Sequence, residues 1–142
     1  MNDKIFLGLS GLATDQQTLF SQIRFRHNMY KLCEERDMTP PTFCHMMSNM
    51  QYAKRFGPYF CGPVVAGLNP DDTPYLAGAD SIGAVEVSKD FMVSGTAPES
   101  LYGVCESFWK PGMVCASYVT CDPMWPCMCR VSSCDFNESQ GL

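Results

Sequence analysis

The sequence predicts an α+β domain in which helices pack against the faces of an antiparallel sheet. Three observations carry this. After an opening strand, the apolar residues keep a helical spacing from Leu19 to Phe56, and from Tyr59 they fall into short runs rich in valine, aromatics and glycine. The elements come in the order strand, two helices, several strands, helix. The turns between the later strands are too short to hold crossover helices, so those strands form an antiparallel meander. With 142 residues, 46% hydrophobic and 18% charged, the composition is globular and the length suits one domain.

The opening strand is KIFLGLSGL, residues 4–12, buried on at least one face. Its apolar run is too short to span a bilayer. Asp3 and Lys4 cancel, so the positive flank of a secretory signal is missing. A strand opening a sheet this abruptly predicts partner strands before it. Thr14 and Gln17 then match a T-x-x-Q capping box, and Asp15 suits a first helical turn. A helix is expected from about 15 to 36. Its buried stripe is Leu19, Ile23, Tyr30 and Cys33, with Phe20 and Met29 beside it, and mixed charges decorate the other faces.

Thr39-Pro40-Pro41 starts a second helix, because proline is tolerated in a first turn. Phe43, Met46, Met47, Met50, Ala53 and Phe56 follow at helical spacing, and Gly57-Pro58 stops it. The methionine stripe reads as a core face. The strands that follow lie in YFCGPVVAGL, PYLAGA, IGAVEV and DFMVSG, divided by Asn69–Asp72, Asp80-Ser81 and Ser88-Lys89. A third helix begins at TAPES, with Thr96 and Glu99 as a second capping box and Leu101, Val104, Cys105 and Phe108 as its apolar stripe.

The net charge of −5 argues against non-specific binding to nucleic acid or an anionic membrane. Phosphate-loop, dinucleotide and zinc-protease motifs do not occur. The histidines, His27 and His45, both fall on expected helices, and Cys44 beside His45 points elsewhere on its helix. Asp71-Asp72 in an Asn-Pro loop reads as a turn. Nine cysteines, an odd number, cannot all pair within the chain. Composition and pattern therefore stop at an α+β domain.

Longer stretches go further. GLSGLATDQQTL (8–19), IRFRHNMYKL (23–32), AKRFGPYF (53–60), PVVAGLNP (63–70) and DFMVSGTAPESLYGVCESFWKPGM (90–113) occur in order. Together they resemble the beta subunits of the proteasome core particle, most closely the non-catalytic beta type-3 branch. The resemblance runs from about Asp3 to Met113. It implies an αββα sandwich of the N-terminal nucleophile hydrolase type, here incomplete, with two antiparallel sheets face to face and helices outside.

Active members of that family attack with an N-terminal threonine, assisted by its own amine and a lysine, and hold the oxyanion with a glycine N–H. Residue by residue, Gly11 matches the oxyanion glycine, Ser94 a serine that supports the nucleophile, and Leu9 and Ala13 specificity-pocket positions. The threonine and its lysine have no counterpart, so the resemblance implies vestigial positions and no catalytic residue. Thr14 or Thr18 could become N-terminal only by a cleavage that removes the Gly11 strand. The implied role is architectural: one place in a beta ring, with other beta and alpha subunits as partners, in cytoplasm and nucleus. Nucleic acid, membrane, metal and small-molecule cofactors have no part in it. Strands missing from the sheet would leave an open edge, and the isolated chain is expected to be marginal and prone to aggregate.

The partial domain is expected over 1–113, and 114–142 reads as a divergent, irregular tail. Its cysteines in CDPMWPCMCRVSSC, residues 121–134, invite a zinc reading. Zinc sites favour C-x₂₋₄-C pairs, often with histidine. Here only Cys129 and Cys134 come near that spacing, and the tail has no histidine. A shifted frame or a different exon is the expected origin of this stretch.

Overall fold

The computed structural model describes residues 4–110 and the backbone of a strand at 127–129. The elements are β1 (Ile5–Gly11), α1 (Ala13–Glu34), α2 (Pro40–Tyr52), β2 (Cys61–Leu68), β3 (Pro74–Ala79), β4 (Val85–Ser88), β5 (Met92–Ser94), α3 (Pro98–Phe108) and β6 (Cys127–Cys129). Four strands make one antiparallel sheet in the order β1-β2-β3-β4, and β5 pairs with β6. The meander is thus formed as expected. β1 pairs with β2 from Ile5 opposite Gly67 to Gly11 opposite Cys61, so the strand that precedes both helices returns to one edge of the sheet.

Strand alternation sorts the side chains into two faces. Ile5, Cys61, Val65 and Ala77 meet α1 and α2 in one core, joined by Leu19, Ile23, Phe43, Met47 and Met50. On the other face Val64, Ala66 and Leu76 pack against Met92 of β5. Gly78 makes room there, since a Cβ would lie 2.7 Å from the Met92 sulfur. α3 lies against β5: the Tyr102 hydroxyl donates to Met92 Sδ at 3.3 Å, and the Phe91 and Tyr102 rings are 5.8 Å apart. The described layers therefore run helix, sheet, short strand pair, helix.

Both expected capping boxes are absent. α1 begins two residues earlier than expected, on Leu12, with no side-chain cap. Asp15 Oδ2 makes a tertiary contact, accepting the Phe60 N–H at 3.0 Å, and Gln16 Nε2 bonds locally to the Gly11 carbonyl at 3.0 Å. α3 starts on Ala97, also uncapped by a side chain, which places Thr96 outside the capping position. Only Leu19, Ile23 and His27 are buried on α1, while Cys33, Phe20 and Met29 are exposed. Phe20 and Met29 lie beside the Leu19–Ile23–His27 stripe and face outward; for Cys33 the reason is length. A 22-residue helix runs about 33 Å, whereas seven residues of β1 cover about 24 Å, so the last turns have no sheet beneath them. α2 ends at Tyr52, four residues before Phe56, and tight turns such as Gly57 N–H to Lys54 O at 3.0 Å replace its last turn.

Gln51 is fully buried and ties α2 to the sheet. Its Nε2 donates to Asp80 O at 3.0 Å and to Cys61 O at 3.5 Å, the ends of β3 and β2. Ser48 Oγ donates to Gly83 O at 2.5 Å. Gly83 has φ +86°, and a Cβ there would meet the Ser48 carbonyl at 2.5 Å, so glycine is required for this approach.

Within the stretch that the sequence reads as an irregular tail, the backbone of Cys127–Cys129 runs antiparallel to β5, with Met92 opposite Cys129. The zinc reading concerns side chains that lie outside the described residues. Among the described residues no group of three metal-ligating side chains comes together, and no helix is long and apolar enough to cross a membrane.

Candidate functional site

The four positions singled out by sequence do not converge on one cavity. Leu9 follows Ile5 and Leu7 on the helix side of β1, where it is half-buried against the main core. Ala13 is the exposed first residue of α1. Gly11 is the last residue of β1, opposite Cys61. Ser94 lies on β5, across the other face of the sheet. It lines a cleft of about 390 Å³ with Gly78, Asp80, Glu86, Met92 and Tyr102, among others.

Gly11 is where β1 hands over to α1. Its φ of +120° is open to glycine and strained for other residues. A Cβ would fall 2.1 Å from the Phe60 carbonyl oxygen. That carbonyl accepts the Leu12 N–H at 2.9 Å, which turns the chain from the sheet edge into the helix. Gly11 thus permits a close backbone crossing.

Ser94 does have a polar partner that sequence reading missed, Ser10. The two Oγ atoms are 2.6 Å apart, and each lies 3.0 Å from the Gly62 carbonyl oxygen. Three contacts share two hydroxyl protons. One serine donates to the other, and the second proton goes to Gly62 O. Gly62 is tightly fitted: a Cβ would lie 2.9 Å from Ser94 Oγ and 3.3 Å from Ser10 Oγ. A serine becomes a nucleophile when a base takes its proton. Here the neighbours of each hydroxyl are another hydroxyl and a carbonyl oxygen, and the arrangement clamps β5 onto β1 and β2. The alternation of β1 predicts that Ser10 points away from the helices, but a partner 84 positions along the chain leaves no local signal.

The other titratable groups are set by burial. Cys44 is pushed up to about 11 by burial, against the weaker opposing effect of its hydrogen bond with Tyr75. Tyr75 is pushed up to about 12, by burial first and then by Cys44. Both stay protonated at neutral pH, so this thiol is inert packing. His27 is 2% exposed, sits edge-on to Phe43 with ring centroids 6.1 Å apart, and is held below its ordinary value mainly by burial.

Comparison with known proteins agrees with this frame. The family model described as "Proteasome subunit" matches residues 1–121. The chain is 59% identical over 113 residues to the proteasome subunit beta type-3 of Oryza sativa subsp. japonica, a match covering 80% of this chain and 55% of that protein. It is equally similar, with the same coverage, to the proteasome subunit beta type-3-A of Arabidopsis thaliana. To the proteasome subunit beta type-3 of Saccharomyces cerevisiae it is 51% identical over 110 residues, 77% of this chain and 54% of that protein. The chain spans about half the length of these relatives. The crossing at Gly11, the two-faced sheet and the serine clamp are thus the local architecture of a chain that belongs to the proteasome subunit family.

Proposed function

We propose that this chain is a structural, non-catalytic beta-ring component of the proteasome core particle. It takes part in protein degradation by assembling with other beta and alpha subunits, in cytoplasm and nucleus. The observation that carries this reading is the 59% identity to proteasome subunits beta type-3. The layer order of helix, sheet, strand pair and helix supports an incomplete αββα sandwich of the N-terminal nucleophile hydrolase type. The hydroxyl geometry supports the non-catalytic part: Ser10 and Ser94 are engaged with each other and with Gly62. Thr14 and Thr18 stand inside α1, where Thr18 Oγ1 donates to Thr14 O at 3.0 Å. Gly11, Ser94, Leu9 and Ala13 then act as framework.

The test is a tagged full chain expressed in its source cells and followed by sedimentation. It should run with a high-mass, peptide-hydrolysing particle. A threonine-directed covalent inhibitor should label other subunits of that particle and leave this chain unlabelled. A chain that stays in low-mass fractions refutes the assembly role, and a labelled chain refutes the non-catalytic one.

A further inference from the structure

The turn between α2 and β2 differs in charge from the rest of the chain. The whole carries −5, yet between Asp37 and Asp71 there is no acidic residue, and Lys54 and Arg55 are the only lysine or arginine. Both cations lie on aromatic rings. The Arg55 guanidinium carbon is 4.7 Å from the Tyr52 ring centroid and 4.6 Å from that of Phe56. The Lys54 ammonium is 4.8 Å from the Tyr59 ring. Arg55 Nη1 also reaches the Tyr52 carbonyl at 3.4 Å, and Arg55 N–H closes a tight turn on that same carbonyl at 3.2 Å. Among the described residues no carboxylate forms an ion pair with either cation.

The rings that flank Arg55 face solvent, Phe56 at 91% exposed and Tyr52 at 56%, and Phe60 further along the turn is 67% exposed, whereas Tyr59 beneath Lys54 is buried. Nothing in the core asks for this. Phe56 sits at the spacing of a core residue, and the early end of α2 at Tyr52 turns it outward. An arginine flanked by two rings has its planar fork pre-organised, so less entropy is lost when it takes a carboxylate on two N–H groups. Exposed aromatic rings next to such an arginine have the composition of an interface hot spot.

We propose that the Tyr52–Phe60 turn is a docking site for a partner-protein segment that presents a carboxylate next to a large apolar side chain. The carboxylate takes the open edge of Arg55, with Lys54 adding charge, and the apolar side chain covers Phe56 and Phe60. The fold brings Asp15 to this turn, where its carboxylate accepts the Phe60 N–H at 3.0 Å, but among the described residues it pairs with neither cation, and the charge of Arg55 and Lys54 selects an acidic occupant. Two cations suit one or two carboxylates, whereas a nucleic acid would meet the repulsion of the remaining acidic surface. The site does not depend on the assembly proposed above.

Panning random short peptides displayed on phage against the full chain tests it. Recovered peptides should carry Asp or Glu beside Phe, Leu or Ile. A synthetic copy of the best should lose about tenfold or more in affinity against Arg55→Glu, and less against Arg55→Gln, as expected for a desolvated charge contact. Phe56→Ala should also weaken it, whereas Arg26→Glu on α1 should not. Replacing the peptide's Asp or Glu by the amide should abolish binding, and raised salt should weaken it. Circular dichroism should be unchanged by Arg55→Glu, because that side chain is exposed. No enrichment, enriched peptides without an acid, binding that survives Arg55→Glu, or tighter binding to a DNA oligonucleotide would each overturn the site.

Discussion

Replacing Gly11 by alanine should destabilise the fold by about 3 kcal/mol. Two terms make up the magnitude. The first is conformational: a φ of +120° costs a non-glycine residue on the order of 1–3 kcal/mol. The second is steric. The new Cβ would lie 2.1 Å from the Phe60 carbonyl oxygen and 3.1 Å from Cys61 Cα. These are backbone atoms, so relief requires the strands to part. Parting them breaks the 2.9 Å bond from Leu12 N–H to Phe60 O, worth about 1 kcal/mol. With a urea dependence of about 2 kcal/mol per molar, the unfolding midpoint should fall by about 1.5 M. Gly57→Ala is the matched control, because nothing lies within 4 Å of its Cβ and its effect should stay within about 1 kcal/mol. Urea unfolding followed by circular dichroism on the two variants decides the matter. Coincident midpoints would refute the crossing assigned to Gly11.

The serine clamp predicts non-additivity. Ser10→Ala or Ser94→Ala alone leaves the other hydroxyl to serve Gly62 O and should cost about 1 kcal/mol, whereas the double variant should cost more than the sum. A strictly additive cycle in urea unfolding would contradict the shared-proton geometry. His27, buried and held below its ordinary value of 6.5 by burial, favours its neutral form in the folded state. The unfolded chain therefore binds the extra proton, and stability present above about pH 6.5 should decline as pH falls from there toward the lower folded value. His27→Gln should flatten that part of the pH–stability curve, and an unchanged slope would count against it. Among the four described cysteines, thiol alkylation mapped by mass spectrometry should modify exposed Cys33 first. Cys44, Cys61 and Cys105, all buried, should react only on unfolding; early modification of Cys44 would contradict its packing.

Much of the fold was legible because it rests on local rules. The alternation of β1 and the methionine spacing of α2 name core faces directly, and Phe43, Met47 and Met50 are buried as the spacing requires. The turn chemistry at Asn69–Asp72 also reads locally: Asn69 N–H donates to Thr73 O at 2.9 Å. The capping boxes failed for a reason that sequence does not display. The start of each helix is set by the path of the chain: the Leu12 N–H bonds the Phe60 carbonyl as the chain leaves β1, so α1 begins before Thr14, and α3 starts on Ala97, one residue past Thr96. The stripe of α1 was drawn too long because periodicity reports a face and not the length of sheet beneath it.

The candidate site divides in the same way. Order and spacing along the chain determined the class of fold, the elements and the family, since each depends on residues close in sequence or on long runs of matching residues. Which of the family positions meet was settled only in three dimensions. Ser94 finds Ser10 because β5 crosses the face of β1 and β2 opposite the helices, while Leu9 points into the helix-side core and Ala13 into solvent. Gly62 and Gly83 both read as ordinary glycines of strand runs until the atoms that would strike a Cβ are known. Those atoms belong to residues brought close by packing, and a distance of that kind has no trace in the order of the chain.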